Sequence, residues 1–96
     1  MQLFTYKKPE DIFFAQSVYT KRAPGMAVRS IFRRLLRETN NETFEVKLIV
    51  KNLNNGKLYY YDCRAIYNPT QKLVSNFKYL TIKYEINIIK LNERCF

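Results

Sequence analysis

A chain of 96 residues has the length of one domain, since typical domains have about 50 to 250 residues. The composition, 47% hydrophobic and 26% charged, excludes the disordered class, and no apolar run reaches the roughly 20 residues that a membrane span needs. The formal net charge of +9 favours a polyanionic partner, which can be nucleic acid, an anionic membrane surface or an acidic protein.

The chain has two cysteines and no histidine, which limits the metal sites and catalytic groups that it can form. The usual four-ligand zinc site and the Ser-His and Cys-His catalytic pairs are excluded, so we expect no metal, no cofactor and no enzyme activity. The N-terminal residues lack a basic stretch followed by an apolar segment. We therefore expect an intracellular protein, in the cytoplasm or an organelle matrix and not secreted, with Cys63 and Cys95 reduced.

The first quarter of the chain predicts a short strand followed by a helix. The strand covers Gln2 to Tyr6. Pro9, Glu10 and Asp11 are typical of a helix start, because proline suits the first helical position and acids suit the positive end of the helix dipole. Apolar side chains give this helix a broad face, and the residues after Thr20 break it.

Residues 24–37 predict a second helix with a stronger pattern. At about 100° per residue, one side gathers the apolar residues Val28, Ile31, Phe32, Leu35 and Leu36. The arginines lie on the other side, and residues 39–41 offer a polar stop in which an asparagine takes the left-handed conformation.

From Thr43 onward the pattern alternates with the period of a β-strand. Asn55-Gly56 predicts a two-residue type I′ turn, which gives a hairpin in which paired residue numbers sum to 111. In that register Lys47 lies opposite Arg64, and Lys51 lies opposite Tyr60. Residues 69–72 read as a connection, and Leu80 to Ile88 as a third long strand.

These elements predict a single small α+β domain over residues 1–96. Its antiparallel sheet has three to four strands, namely the Asn-Gly hairpin and a long C-terminal strand with or without the N-terminal one. One or two N-terminal helices pack against the apolar face of the sheet.

The charge pattern predicts an interface for RNA or DNA. Six cations and no acid lie within residues 21–37, and arginine suits phosphate because its planar fork donates two parallel hydrogen bonds. A second contact on the sheet would combine two cations that repel each other with a tyrosine that could stack on a base, although Glu45 and Asp62 lie diagonally and could neutralise the pair without a ligand. The predicted nucleic-acid-binding residues are Lys21, Arg22, Arg29, Arg33, Arg34, Arg37, Lys47, Arg64 and Tyr60.

The size and charge suit a non-catalytic RNA-binding subunit of a larger ribonucleoprotein, such as a ribosome, with other proteins of that assembly as further partners. The signatures of the RRM, KH and zinc-finger modules are absent. An alternative is a structural subunit of an organellar complex or virion that docks an acidic protein surface. A nuclease is a third interpretation, with Glu45, Lys47 and Asp62 on one sheet face as a carboxylate–lysine site.

Overall fold

The computed structural model describes residues 1–39, 42–74 and 78–95, with side chains at 1–39, 42–67 and 84–94. Its elements are β1 (Gln2–Lys7), β2 (Tyr19–Lys21), α1 (Pro24–Arg37), β3 (Thr43–Asn52), β4 (Leu58–Val74), β5 (Lys78–Leu91) and a 3-10 turn (Glu93–Cys95). The strands form one antiparallel sheet in the order β2-β1-β3-β4-β5, curled into a half-barrel. The predicted α+β class is confirmed, but the sheet has five strands instead of three or four.

The helix lies between the second and third strands, so the prediction of one or two N-terminal helices is wrong. Residues 9–18, predicted to be helical, form a turn and a loop instead. The Asp11 amide donates to the Lys8 carbonyl (3.0 Å), and the Lys8 amide donates to the Asp11 carboxylate (3.2 Å). Tyr19 then pairs with Phe4 in a strand. Pairing with β1 therefore outweighs the local preference for helix.

The loop at 8–18 covers part of the sheet face that points away from α1, which we call the outer face. The Ala15 amide donates to the Tyr6 carbonyl (2.7 Å), and the Thr5 hydroxyl donates to the Ala15 carbonyl (2.6 Å). The Phe14 ring lies under the ammonium groups of Lys7 and Lys51, at 5.6 and 5.3 Å. This cover explains why Thr5 is only 3% exposed although it points away from the helix.

The helix α1 matches its prediction. Val28, Ile31, Phe32 and Leu36 are buried against the inner face of the sheet, which is the face that contacts α1. Phe32 stacks on Phe44 of β3, with ring centroids 5.7 Å apart and planes at 9°. Burying each such side chain contributes about 1.5–3 kcal/mol. The predicted asparagine stop at positions 40 and 41 lies outside the described residues, and no described helix is long and apolar enough to cross a bilayer.

The hairpin of β3 and β4 forms, but its predicted register is wrong by two residues. Paired numbers sum to 109, so Lys47 lies opposite Asp62 and Glu45 opposite Arg64. The cause is a four-residue loop in place of the two-residue turn: the Asn52 amide donates to the Lys57 carbonyl (2.9 Å), and the Gly56 amide to the Asn52 carbonyl (2.7 Å). A slip of two keeps every side chain on its predicted face.

The Asn52 side chain holds this loop. It is 1% exposed, and its carbonyl oxygen accepts from the amides of Asn54 (2.8 Å) and Asn55 (3.4 Å). Its amide group donates to the Gln2 side chain (3.0 Å), which ties the loop to β1. These hydrogen bonds satisfy each buried polar atom of Asn52 and stabilise the four-residue loop relative to the two-residue turn.

The predicted third strand is confirmed as β5. The predicted connection at 69–72 is wrong, because those residues continue β4, with an irregularity in the ladder between Tyr67 and Thr70. The strand β4 therefore runs well past the last residue pair that it makes with β3.

Replacing Gly56 by alanine should lower the free energy of unfolding by about 1–2 kcal/mol, because Gly56 has a φ of 75° and a Cβ is strained there. The matched control is Gly25→Ala in α1, where a Cβ meets nothing within 4 Å. That change should be neutral or stabilise by about 0.4–1 kcal/mol. Urea denaturation of both variants measures the difference, and equal shifts would contradict the described loop.

Cys63 should resist alkylation in the folded protein, because burial raises the pKa of its thiol to about 12 from an ordinary 9.0. The thiolate, which is the reactive form, is then scarce and inaccessible. In a Cys95→Ser variant at pH 8, iodoacetamide should label Cys63 only in urea. Because the folded pKa is raised, the stability linked to this thiol is fully present below pH 9 and falls as the pH rises toward 12.

Candidate functional site

The arginines of α1 have different surroundings. Arg29 and Arg33 lie beside a groove between the helix and the sheet. Arg34 turns toward β2 and the loop before it, and Arg37 is exposed in the last turn. Arg29 and Arg33, one turn apart on α1, line the same groove, whereas Arg34 bonds to Ser17 and Tyr19.

The groove has a volume of about 530 Å³ and lies between the first half of α1 and the inner faces of β4 and β5. We call it the basic groove. Arg29 and Arg33 line it from the helix, Lys90 from β5 and Lys21 from β2. Tyr61 and Ile88 contribute its sheet wall. Four cations from three elements thus converge on one concave space.

Among the residues that the structure describes, no carboxylate lines the basic groove. Arg64, which lies on the outer face, makes two ion pairs, whereas none is found for the four groove cations among the described side chains. The charges of Arg29, Arg33, Lys21 and Lys90 are therefore not neutralised by ion pairs within the described part of the chain. Positive charges gathered in a concavity raise the local electrostatic potential, which attracts anions.

The N-terminus of α1 opens on the same groove. Gly25 lines it, and the helix begins without a side-chain cap, since Ala23 occupies the N-cap position. The first turn carries no acidic residue. At the start of the helix the Ala27 amide donates a backbone hydrogen bond to the Ala23 carbonyl (3.2 Å). The positive end of the helix dipole therefore adds to the field of the side chains.

Arg34 has a structural task. Its guanidinium donates to the hydroxyls of Ser17 (3.4 Å) and Tyr19 (3.3 Å), which fixes β2 against the helix. The hydrogen bond to Tyr19 raises the pKa of Arg34. Tyr19 in turn packs edge-on against Tyr6, with centroids 6.4 Å apart. Arg34 is thus committed to partners within the chain, unlike Arg29 and Arg33.

The remaining predicted cations of this region lie at the margins. Arg22 is exposed and directly follows β2. Arg37 is exposed in the last turn of α1, where its positive charge interacts favourably with the negative end of the helix dipole. Neither lines the basic groove.

The predicted second contact lies on the outer face, away from the groove. Arg64 contacts the carboxylates of Asp62 (3.1 Å) and Glu45 (4.0 Å). The prediction that Lys47 and Arg64 repel each other is therefore wrong, because the true register places each opposite a carboxylate. Burial and the nearby Glu93 carboxylate, which accepts a hydrogen bond, raise the pKa of Tyr60.

The same contacts bear on the nuclease interpretation. Glu45 and Asp62 share one arginine, and no cluster of three or more potential metal ligands is found in the part of the chain that the structure describes. The outer face carries charges of both signs, whereas the basic groove carries one sign.

Lys90, Tyr61 and Ile88 are groove residues that the sequence did not single out. In the β4–β5 ladder Tyr61 pairs with Lys90, which sets both beside the helix. The Lys90 ammonium also lies 5.4 Å from the centroid of the Tyr59 ring, and that of Lys57 lies at the same distance. The sequence indicates Lys90 as a groove residue only if the β4–β5 register is known.

Comparison with protein-family models, with curated proteins and with solved structures finds no match to this chain. What the protein binds therefore has to follow from the chemistry of the basic groove and its surroundings.

Proposed function

We propose that the protein is a non-catalytic nucleic-acid-binding protein, an RNA-binding subunit of a larger ribonucleoprotein such as a ribosome. The observation that supports this most is the convergence of Arg29, Arg33, Lys21 and Lys90 on a groove that no carboxylate of the described side chains lines. The ligand that best neutralises such a site is a chain of phosphates.

Each part of the site has a role in this proposal. Arg29 and Arg33 clamp phosphate oxygens, since a guanidinium donates parallel hydrogen bonds and keeps its charge at any physiological pH. The N-terminal amides of α1 supply further donors for a phosphate. Arg22 and Arg37 extend the field along the helix without lining the groove.

Binding of this kind depends on the release of counterions from the polyanion, so its affinity falls steeply with salt. Phosphate contacts position a nucleic acid but do not read its sequence. A small basic domain of this type suits a fixed place in an assembly whose RNA is already folded. The same contacts serve the phosphate backbone of DNA.

A second candidate function is that of a structural subunit which docks an acidic protein surface. Ile12 and Phe13 at the tip of the loop at 8–18 are each 83% exposed, which is unusual for large apolar side chains. In the described sheet β5 is an edge strand, which could accept a further strand from a partner. This function predicts a stoichiometric complex that survives nuclease treatment.

Affinity for a structured RNA, measured by fluorescence anisotropy from about 50 to 200 mM salt, should fall with a slope that indicates several phosphate contacts. The double variant Arg29→Gln/Arg33→Gln should bind more weakly, with the slope reduced by about 0.7 to 0.9 for each lost contact. The control is Lys57→Gln/Arg94→Gln, which removes the same charge from exposed positions that do not line the groove.

Circular dichroism of both variants should match the wild type, because all four side chains are exposed. Equal weakening in the two double variants would mean that net charge alone drives binding. Absence of wild-type binding at the low-salt end would refute the proposal and favour the acidic protein partner.

Arg34→Gln offers a separate comparison. Because Arg34 bonds to Ser17 and Tyr19, its loss should lower the midpoint of urea denaturation. RNA affinity, measured well below the melting temperature, should fall less than in Arg33→Gln. The reverse order of effects on RNA binding would place the clamp on the β2 side of the helix.

A further inference from the structure

We infer that the basic groove holds a single, unpaired strand, with phosphates against α1 and a base against Tyr61 and Ile88, and that it does not accept a double helix. This inference rests on the proposed function, since it names the form of nucleic acid that the groove takes.

The size of the groove is the first reason. Its volume of about 530 Å³ falls within the roughly 300–1,000 Å³ of pockets that enclose small molecules. A space of that size admits a short stretch of single strand. A double helix carries its phosphates on the outside of a wide cylinder, so it can follow an exposed ridge of cations but cannot enter this space.

The placement of the cations is the second reason. Arg29 and Arg33 line the groove from α1, whereas Lys90 lines it from β5. A ligand between them has cations on two sides. Only a strand whose phosphate backbone runs between the helix and the sheet can use both sets at once.

The sheet wall of the groove is the third reason. Tyr61 is 5% exposed and Ile88 is half-buried, so the wall is largely apolar and firmly packed. Met26, on the helix, adds a flexible apolar side chain to the lining. An unpaired base presents a flat face that packs on such a surface, whereas a base within a duplex is already stacked on its neighbours.

Tyr61 also keeps a hydroxyl donor in the wall. A phenol is neutral at physiological pH, and burial raises the pKa of the Tyr61 hydroxyl further. A neutral phenol does not repel phosphate and can donate a hydrogen bond to it. The uncapped N-terminus of α1 offers amide donors at the same groove.

The test uses the full chain at about 150 mM salt with three probes: a fluorescent 8-nucleotide single strand, the same strand annealed to its complement, and AMP as a competitor. The single strand should bind at least about tenfold more tightly than the duplex. Lys90→Gln should weaken single-strand binding about threefold or more and reduce the salt slope by about 0.7.

Lys57→Gln is the matched control. Lys57 and Lys90 lie at equal distances from the Tyr59 ring, but only Lys90 lines the groove. The control should change single-strand affinity by less than about twofold. A 4-thiouridine in the strand should photo-crosslink to residues 25–33 or 88–90, which checks the site without any substitution.

The outcomes separate the inference from the proposed function. One outcome is equal affinity for the single strand and the duplex, with weaker binding by Arg29→Gln/Arg33→Gln but not by Lys90→Gln. That outcome overturns binding of a single strand in the groove and leaves the proposed nucleic-acid binding intact. Competition by AMP at concentrations that match those of the single strand also overturns it. Failure of the wild type to bind either nucleic acid refutes both.

Discussion

The contact between the apolar side of α1 and the inner face of the sheet is the constraint on which the other features depend. Phe32 stacks on Phe44, and Ile31 and Val28 are fully buried beside it. This packing fixes the rotation of the helix about its axis. The rotation then decides that Arg29 and Arg33 border the groove while Arg34 reaches β2. The chemistry of the helix surface is thus set by its buried side.

The two faces of the sheet carry different charge environments for structural reasons. On the outer face Arg64 has two carboxylate neighbours, and the loop at 8–18 covers the end near β1. On the inner face α1 contacts β1, β2, β3 and β4, and the sheet beyond it toward β5 forms the groove wall. The cations that line the groove on the inner face have no carboxylate neighbours among the described groove residues. An anionic ligand therefore gains more on the inner face than on the outer one.

Much of the fold could be predicted because its signals are local. The period of residues 24–37 determines the buried side of α1, and the alternation after Thr43 determines which side chains of β3 face inward. The errors came from distant contacts. Tyr19 becomes a strand residue only because Phe4 lies beside it, and Asn52 widens the hairpin loop with help from Gln2. Lys90 could not be identified as a groove residue, since its position depends on the β4–β5 ladder and on the placement of the helix together.

The order of the strands has a consequence for how the groove is assembled. The consecutive strands β3, β4 and β5 pair through near neighbours in the chain, whereas β1 must find β3 across more than forty residues. Short-range pairings generally form faster than long-range ones. By that rule we expect the meander of β3, β4 and β5 to form before the helix side of the groove docks onto it. If a nucleic-acid strand bridges α1 and β5 as proposed, it binds only the completed arrangement, and its binding raises the free energy of unfolding as its concentration rises above its Kd. Occupancy of the groove and docking of the helix would then be thermodynamically coupled.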